Sequence, residues 1–204
     1  MATLAVLKAR IADELNRTDL TSQIAYAVSD AVALYQSRRF RFNQTRSTFS
    51  TADGTEFYTT STIPDDIAQI DSLRLTVNGR YVTLEPWSYG IIEDIASTTT
   101  SQGQPQAFAW YADQIRLYPI PDAVYTLTIS YLQAIDIPAA DGSSNAWTDE
   151  AGALIRHSAK RMIAADVLRD DATATACAQS EGLEYRRLVR ESQQLDTGSL
   201  RASM

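Results

Sequence analysis

The spacing of apolar residues changes twice along this chain, and that change limits what it can fold into. Up to Tyr35 the step is three and four residues: Leu4, Leu7, Ile11 and Leu15, then Leu20, Ile24, Val28, Ala31, Val32 and Tyr35. This is the period of a helix face. Asn16 to Thr18 interrupt it, and Thr18 or Asp19 is placed to cap a second helix. Two amphipathic helices on so short a link predict a helical hairpin. The helical step returns at Ala151, Leu154, Ile155, Ala159, Met162 and Ile163, with Thr148 as the predicted N-cap. After a break at Arg169-Asp170-Asp171, a last helix is predicted from about Ala172 to Gln194, with Leu183, Leu188 and Val189 among its contacts.

Between the helical ends the texture is that of strands and turns. Asp53-Gly54 and Asn78-Gly79 each separate β-favouring stretches and predict two hairpins, the second with a type I′ turn. Ile63-Pro64-Asp65-Asp66 is a turn. Pro86 to Ala96 predicts a short helix with Pro86 in its first turn. Further strands are predicted over Ala107 to Tyr111, Gln114 to Tyr118 and Val124 to Tyr131, punctuated by Pro119 and Pro121. The fold class is therefore α+β: a helical bundle built from N- and C-terminal helices, with a β-rich, hairpin-containing middle region. The predicted divisions are an N-terminal helical hairpin over 1–45, the β-rich middle over 46–146, C-terminal helices completing the bundle over 147–195, and a flexible tail over 196–204.

Charge and composition narrow the function. The formal charge of −7 opposes wholesale gripping of phosphate. The single cysteine, Cys177, excludes an intrachain disulfide and a cysteine-based zinc site within one chain. No apolar run approaches the roughly 20 residues of a membrane span, and no signal-peptide pattern opens the chain, so a product made in the cytoplasm is expected. His157, the one histidine, sits beside an apolar stripe without a nucleophile-elbow motif, and reads as a helix-surface or interface residue. Cys177 reads as a small packed residue. Asp65-Asp66 and Asp170-Asp171 read as turn or cap residues, because neighbouring aspartates point apart and neither pair follows a calcium-loop pattern. Phosphate-cradling glycine motifs are missing. Catalytic residues, a cofactor and a metal site are thus not expected. Arg38, Arg39, Phe40, Arg41 and Phe42 admit three readings: a protein interface, a plain helix end, or a nucleic-acid contact.

The layout resembles the head–tail adaptor (connector) proteins of tailed phages. The resemblance is carried, in order, by Leu15-Asn16-Arg17-Thr18-Asp19-Leu20, by Arg38-Arg39-Phe40-Arg41-Phe42-Asn43, and by Ile63-Pro64-Asp65-Asp66 before Ile70. Gly103-Gln104-Pro105, Ile115-Arg116-Leu117-Tyr118-Pro119-Ile120-Pro121-Asp122 and Trp147-Thr148 complete it. It implies a structural virion protein of the neck, a ring of about twelve copies under the portal protein. Such a ring extends the DNA channel, lets DNA pass without specific binding, and receives a tail or nozzle protein. The alternatives are a neck stopper or tail completion protein, a small hydrolase, or a nucleic-acid-binding module. Under the adaptor reading the portal-interface candidates are Arg186, Arg187, Arg190 and Arg201. The subunit-interface candidates are Arg38, Arg39, Phe40 and Phe42. The channel-facing candidates are Asp65 and Asp66, drawn from the acid-rich middle region.

Overall fold

A computed structural model of the chain describes residues 2–99 and 101–196. In chain order the elements are helices α1 (Leu4–Leu15) and α2 (Thr21–Gln36), then strands β1 (Gln44–Ser50), β2 (Phe57–Tyr58), β3 (Ile67–Val77), β4 (Arg80–Thr83) and β5 (Glu85–Pro86). Helix α3 (Tyr89–Thr98) precedes β6 (Ala107–Tyr111), β7 (Gln114–Tyr118) and β8 (Thr126–Gln133). The chain closes with α4 (Ala146–Asp149), α5 (Gly152–Met162) and α6 (Asp171–Asp196), with a π-helical turn over Ile163–Leu168 between the last two. The class is α+β, with terminal helices flanking a strand-rich middle. Among the described residues two compact units result, one running up to Asn43 and resuming at Ala134, the other Gln44–Gln133. The predicted tail over 196–204 lies, from Thr197 on, outside the described residues.

The helical unit forms because the apolar stripes of its helices pack on one another. Leu4, Leu7 and Ile11 of α1, Ile24, Val28 and Val32 of α2, Leu154, Ile155 and Ala159 of α5, and Leu188 of α6 are buried in one cluster. Local chemistry sets the ends. The Thr3 side chain accepts from the Val6 amide, and Asn16 adopts the left-handed conformation (φ 51°) that stops α1. The expected side-chain cap of α2 is not made. Leu20 occupies that position, and Asp19 instead accepts from the Arg17 guanidinium at 2.6 and 2.7 Å. That contact holds the Asp19 carboxyl down at about 2.

Thr148 is likewise not the N-cap of the helix it precedes. Asn145 caps α4, its side chain accepting from the Trp147 amide, while Thr148 is buried and closes a capping box from the third helical position. The break before α6 is as the sequence predicts. Arg169 is left-handed (φ 52°), and Asp170 receives both the amide and the hydroxyl of Thr173.

In the strand unit, two four-stranded sheets run in the orders β1-β8-β3-β4 and β2-β7-β6-β5. Residues of both sheets share one apolar cluster, including Phe49, Leu73, Leu75, Leu127 and Ile129 from the first and Tyr58, Phe108, Ile115 and Leu117 from the second. The Asn78-Gly79 hairpin is present: both residues have positive φ (49° and 74°), and Val77 opposes Arg80. The Asp53-Gly54 hairpin is not. Gly54 does turn the chain (φ 71°), but β1 pairs with β8 while β2 pairs with β7, so the turn passes from one sheet to the other. Long-range pairing with β8 has outcompeted the local partner. Helix α3 starts later than predicted, capped by Ser88, and Pro86 lies in β5.

Candidate assembly surfaces

The basic–aromatic stretch after α2 divides by residue type. Phe40 is fully buried and Phe42 packs against the same core, stacked on Phe40 at 5.2 Å. Trp147 meets both rings edge-on, at 6.0 and 5.1 Å. Phe40 is therefore core, not a face presented to a neighbouring subunit. The cause is local: the Phe40 amide donates to Asn43 Oδ1 and the Asn43 amide side chain donates back to the Arg38 carbonyl, which folds the chain over and drives the rings inward. The arginines stay outside. Arg38 and Arg39 are exposed, and Arg41 pairs with Glu150 at 2.6 Å.

The two aspartates of the Ile63-Pro64 turn also differ. Asp65 is exposed. Asp66 accepts from the Tyr131 hydroxyl at 3.0 Å and from Gln133 Nε2 at 2.6 Å, tying the turn to β8. Burial, with the Asp66 carboxylate beside it, pushes the Tyr131 phenol up to about 12. The two positions are thus not equivalent surface charges. Asp65→Lys is expected to leave the denaturant midpoint essentially unchanged, within about 0.5 kcal/mol. Asp66→Lys, which strands both donors and adds a cation, is expected to cost about 1–3 kcal/mol. Equal stability of the two variants in urea unfolding would refute the distinction.

Helix α6 carries three of the four predicted portal-facing arginines. Arg186 and Arg190 are exposed, one helical turn apart, beside Leu183, which is 61% exposed. Arg187 is already paired, with Glu184 at 2.9 Å and Glu191 at 2.7 Å. Arg201 lies outside the described residues. The opposite side of the helix is internal. Cys177, Glu181, Leu188 and Ser192 are buried. Ser192 Oγ accepts the Arg41 amide at 2.8 Å.

His157 is half-buried on α5. Burial, then Lys160 and Arg156, lower its pKa, and its other charged neighbours are Glu14 and Glu184. Burial raises the Cys177 thiol, which keeps it unreactive. Among the described residues no group of three or more His, Cys, Asp or Glu side chains is placed to hold a metal ion, and no helix is long and apolar enough to cross a membrane.

One constellation had no signal in the sequence. Arg116 on β7, only 5% exposed, lies between the carboxylates of Glu56 and Glu93, with its guanidinium 5.2 Å from the Phe57 ring and 5.1 Å from that of Tyr89. Glu93 and Tyr89 belong to α3, so the arginine fastens that helix to the sheet. A cation closed in by two anions and two rings is a structural clasp.

These features define a class: an α+β protein with a helical unit and a strand unit, carrying exposed arginines and apolar side chains on α6. The family model described as SU10 adaptor protein matches residues 2–203, and the chain belongs to that family of phage adaptors. No curated protein matches the chain.

Proposed function

We propose that this chain is a head–tail adaptor of a tailed-phage virion: a ring of about twelve copies under the portal that extends the DNA channel and receives the tail. The family match over residues 2–203 carries this reading. In it, the outer side of α6 docks on the portal. Arg186 and Arg190 supply planar, bidentate donors for portal carboxylates, and Leu183 adds an apolar anchor. Arg187 contributes by exchanging its intrahelical partners, since exposed pairs of that kind are weak, at about 0.3–0.5 kcal/mol. Asp65 is the residue of the acidic turn free to face the lumen, where a carboxylate repels the DNA backbone and speeds passage.

The test is reconstitution. Purified full-length protein is mixed with assembled portal rings and the products are weighed by native mass spectrometry. About twelve copies per portal are expected, and Arg186→Glu with Arg190→Glu is expected to abolish loading. Surface reversal is preferable to truncation of α6, because Leu188 and Ser192 belong to the bundle interior. Normal loading of the reversed chain would remove α6 as the docking element, and failure of the unmodified chain to load would remove the portal reading.

A further inference from the structure

The helical unit carries a groove that its own residues leave open. Tyr26 and Asp30 of α2 form one wall, and Met162, Ile163, Asp166 and Val167 form the other, around a volume of about 230 Å³. Tyr26 is 70% exposed and Val167 is 45% exposed. Asp166 and Val167 lie on the π-helical turn, a wider coil than an α-helix and one that recurs at functional sites. Asp30 and Asp166 are exposed and, among the described residues, neither closes a salt bridge. The groove thus offers an apolar floor flanked by two carboxylates. Its complement is a short segment with an aliphatic side chain beside a cation.

The strand unit supplies such a segment. The β3–β4 hairpin ends on Asn78-Gly79, and every residue of β4 is exposed. Arg80 and Val82 alternate onto the same side of that strand, and neither Arg80 nor its neighbours in β4 closes a salt bridge among the described residues. Val82 (41% exposed) gives that side of the tip its apolar surface, Tyr81 (64% exposed) faces the other way, and β4 is the open edge of its sheet. We infer that the β4 hairpin of one copy seats in the α2–π-turn groove of the next, with Arg80 between Asp30 and Asp166 and Val82 on the apolar floor. The two surfaces differ, so the contact is head-to-tail. Such contacts generate closed rings when the rotation closes. The inference rests on the ring reading above and assigns its subunit joint.

Charge reversal and its compensation test it. The full chain is made as a groove variant (Asp30→Lys with Asp166→Lys), a hairpin variant (Arg80→Glu) and the combination of all three. Self-association is followed by sedimentation over a concentration series, and copy number on portal rings by native mass spectrometry. Each one-sided variant is expected to associate roughly tenfold or more weakly, because like charges then meet across the joint, and the combination is expected to recover. A second measurement places Cys at 80 and 166 in a Cys177→Ser background. Oxidation is expected to give a ladder of covalent oligomers.

Rings that load normally with one-sided variants, or a combination that fails to recover, would overturn the joint while leaving the ring reading in place. A chain that neither self-associates nor forms rings on the portal would overturn both. A groove variant that still forms rings but no longer binds the tail protein would assign the groove to that partner instead.

Discussion

Trp147→Ala is expected to destabilise the helical unit by about 3–5 kcal/mol. Trp147 is 1% exposed, its indole N–H donates to the Ile135 carbonyl at 2.7 Å, and its ring closes the aromatic cluster with Phe40 and Phe42. Removing it opens a cavity between α4, the Phe40 and Phe42 rings and the segment around Ile135, and leaves the part-buried Ile135 carbonyl without its donor. Trp147→Phe separates the two losses. It keeps most of the apolar volume, so its cost should fall to about 1–3 kcal/mol, the range for an orphaned buried partner. Urea unfolding followed by far-ultraviolet circular dichroism checks both. An alanine variant within about 1 kcal/mol of the natural protein would mean the site collapses around the missing ring.

The same residues show what a sequence can and cannot disclose. The helical ends were legible because their signal is periodic and local. Leu4, Leu7 and Ile11, or Leu154, Ile155 and Ala159, announce a buried face without reference to any other part of the chain. Asn78-Gly79 was legible because the backbone itself requires positive φ there. The other tight hairpin, β6–β7, turns through Ala112 and Asp113, at φ 51° and 57°, and alanine carries no such signal. Asp53-Gly54 misled for the opposite reason. The turn is real, but strand partners are chosen by which edges the whole sheet makes available, and β1 found β8.

Surfaces were less legible than the fold. Alternating arginines and phenylalanines over residues 38–42 leave open which type points inward, and only the Asn43 hydrogen bonds decide it. Two adjacent aspartates read as one charged turn until Tyr131 and Gln133, far along the chain, claim one of them. The Arg116 clasp draws on Glu56 and Glu93 from separate segments, a meeting that no spacing rule encodes. The exposure of Arg186 and Arg190 was legible, because a helix carries its surface pattern in its own period.

Glu181→Ala is expected to cost about 2 kcal/mol and to change how stability responds to acid. The Glu181 carboxylate, 6% exposed on α6, accepts from Arg161 Nε on α5 at 2.5 Å and from the Tyr35 hydroxyl on α2 at 2.6 Å. It is the point where three helices meet through polar contacts. Removing one member of a fully buried ion pair costs about 3–5 kcal/mol; the figure here is lower because the Arg161 side chain, 32% exposed, can turn toward water. Burial alone would raise the Glu181 pKa, but the bonds from Arg161 and Tyr35 outweigh it and hold the carboxyl below its ordinary 4.5. The sign of the pH effect follows. A carboxyl whose folded pKa is depressed contributes stability that is fully present above its unfolded pKa and is lost as pH falls through the folded one. Acidification from 4.5 downward should therefore weaken the natural protein more steeply than the alanine variant, and the two stabilities should converge. Arg161→Met combined with Glu181→Met should recover much of the loss, since a matched apolar pair leaves no uncompensated charge. Parallel acid titrations of the natural and alanine proteins, with the gap unchanged to low pH, would show that Glu181 acts through packing rather than through its charge.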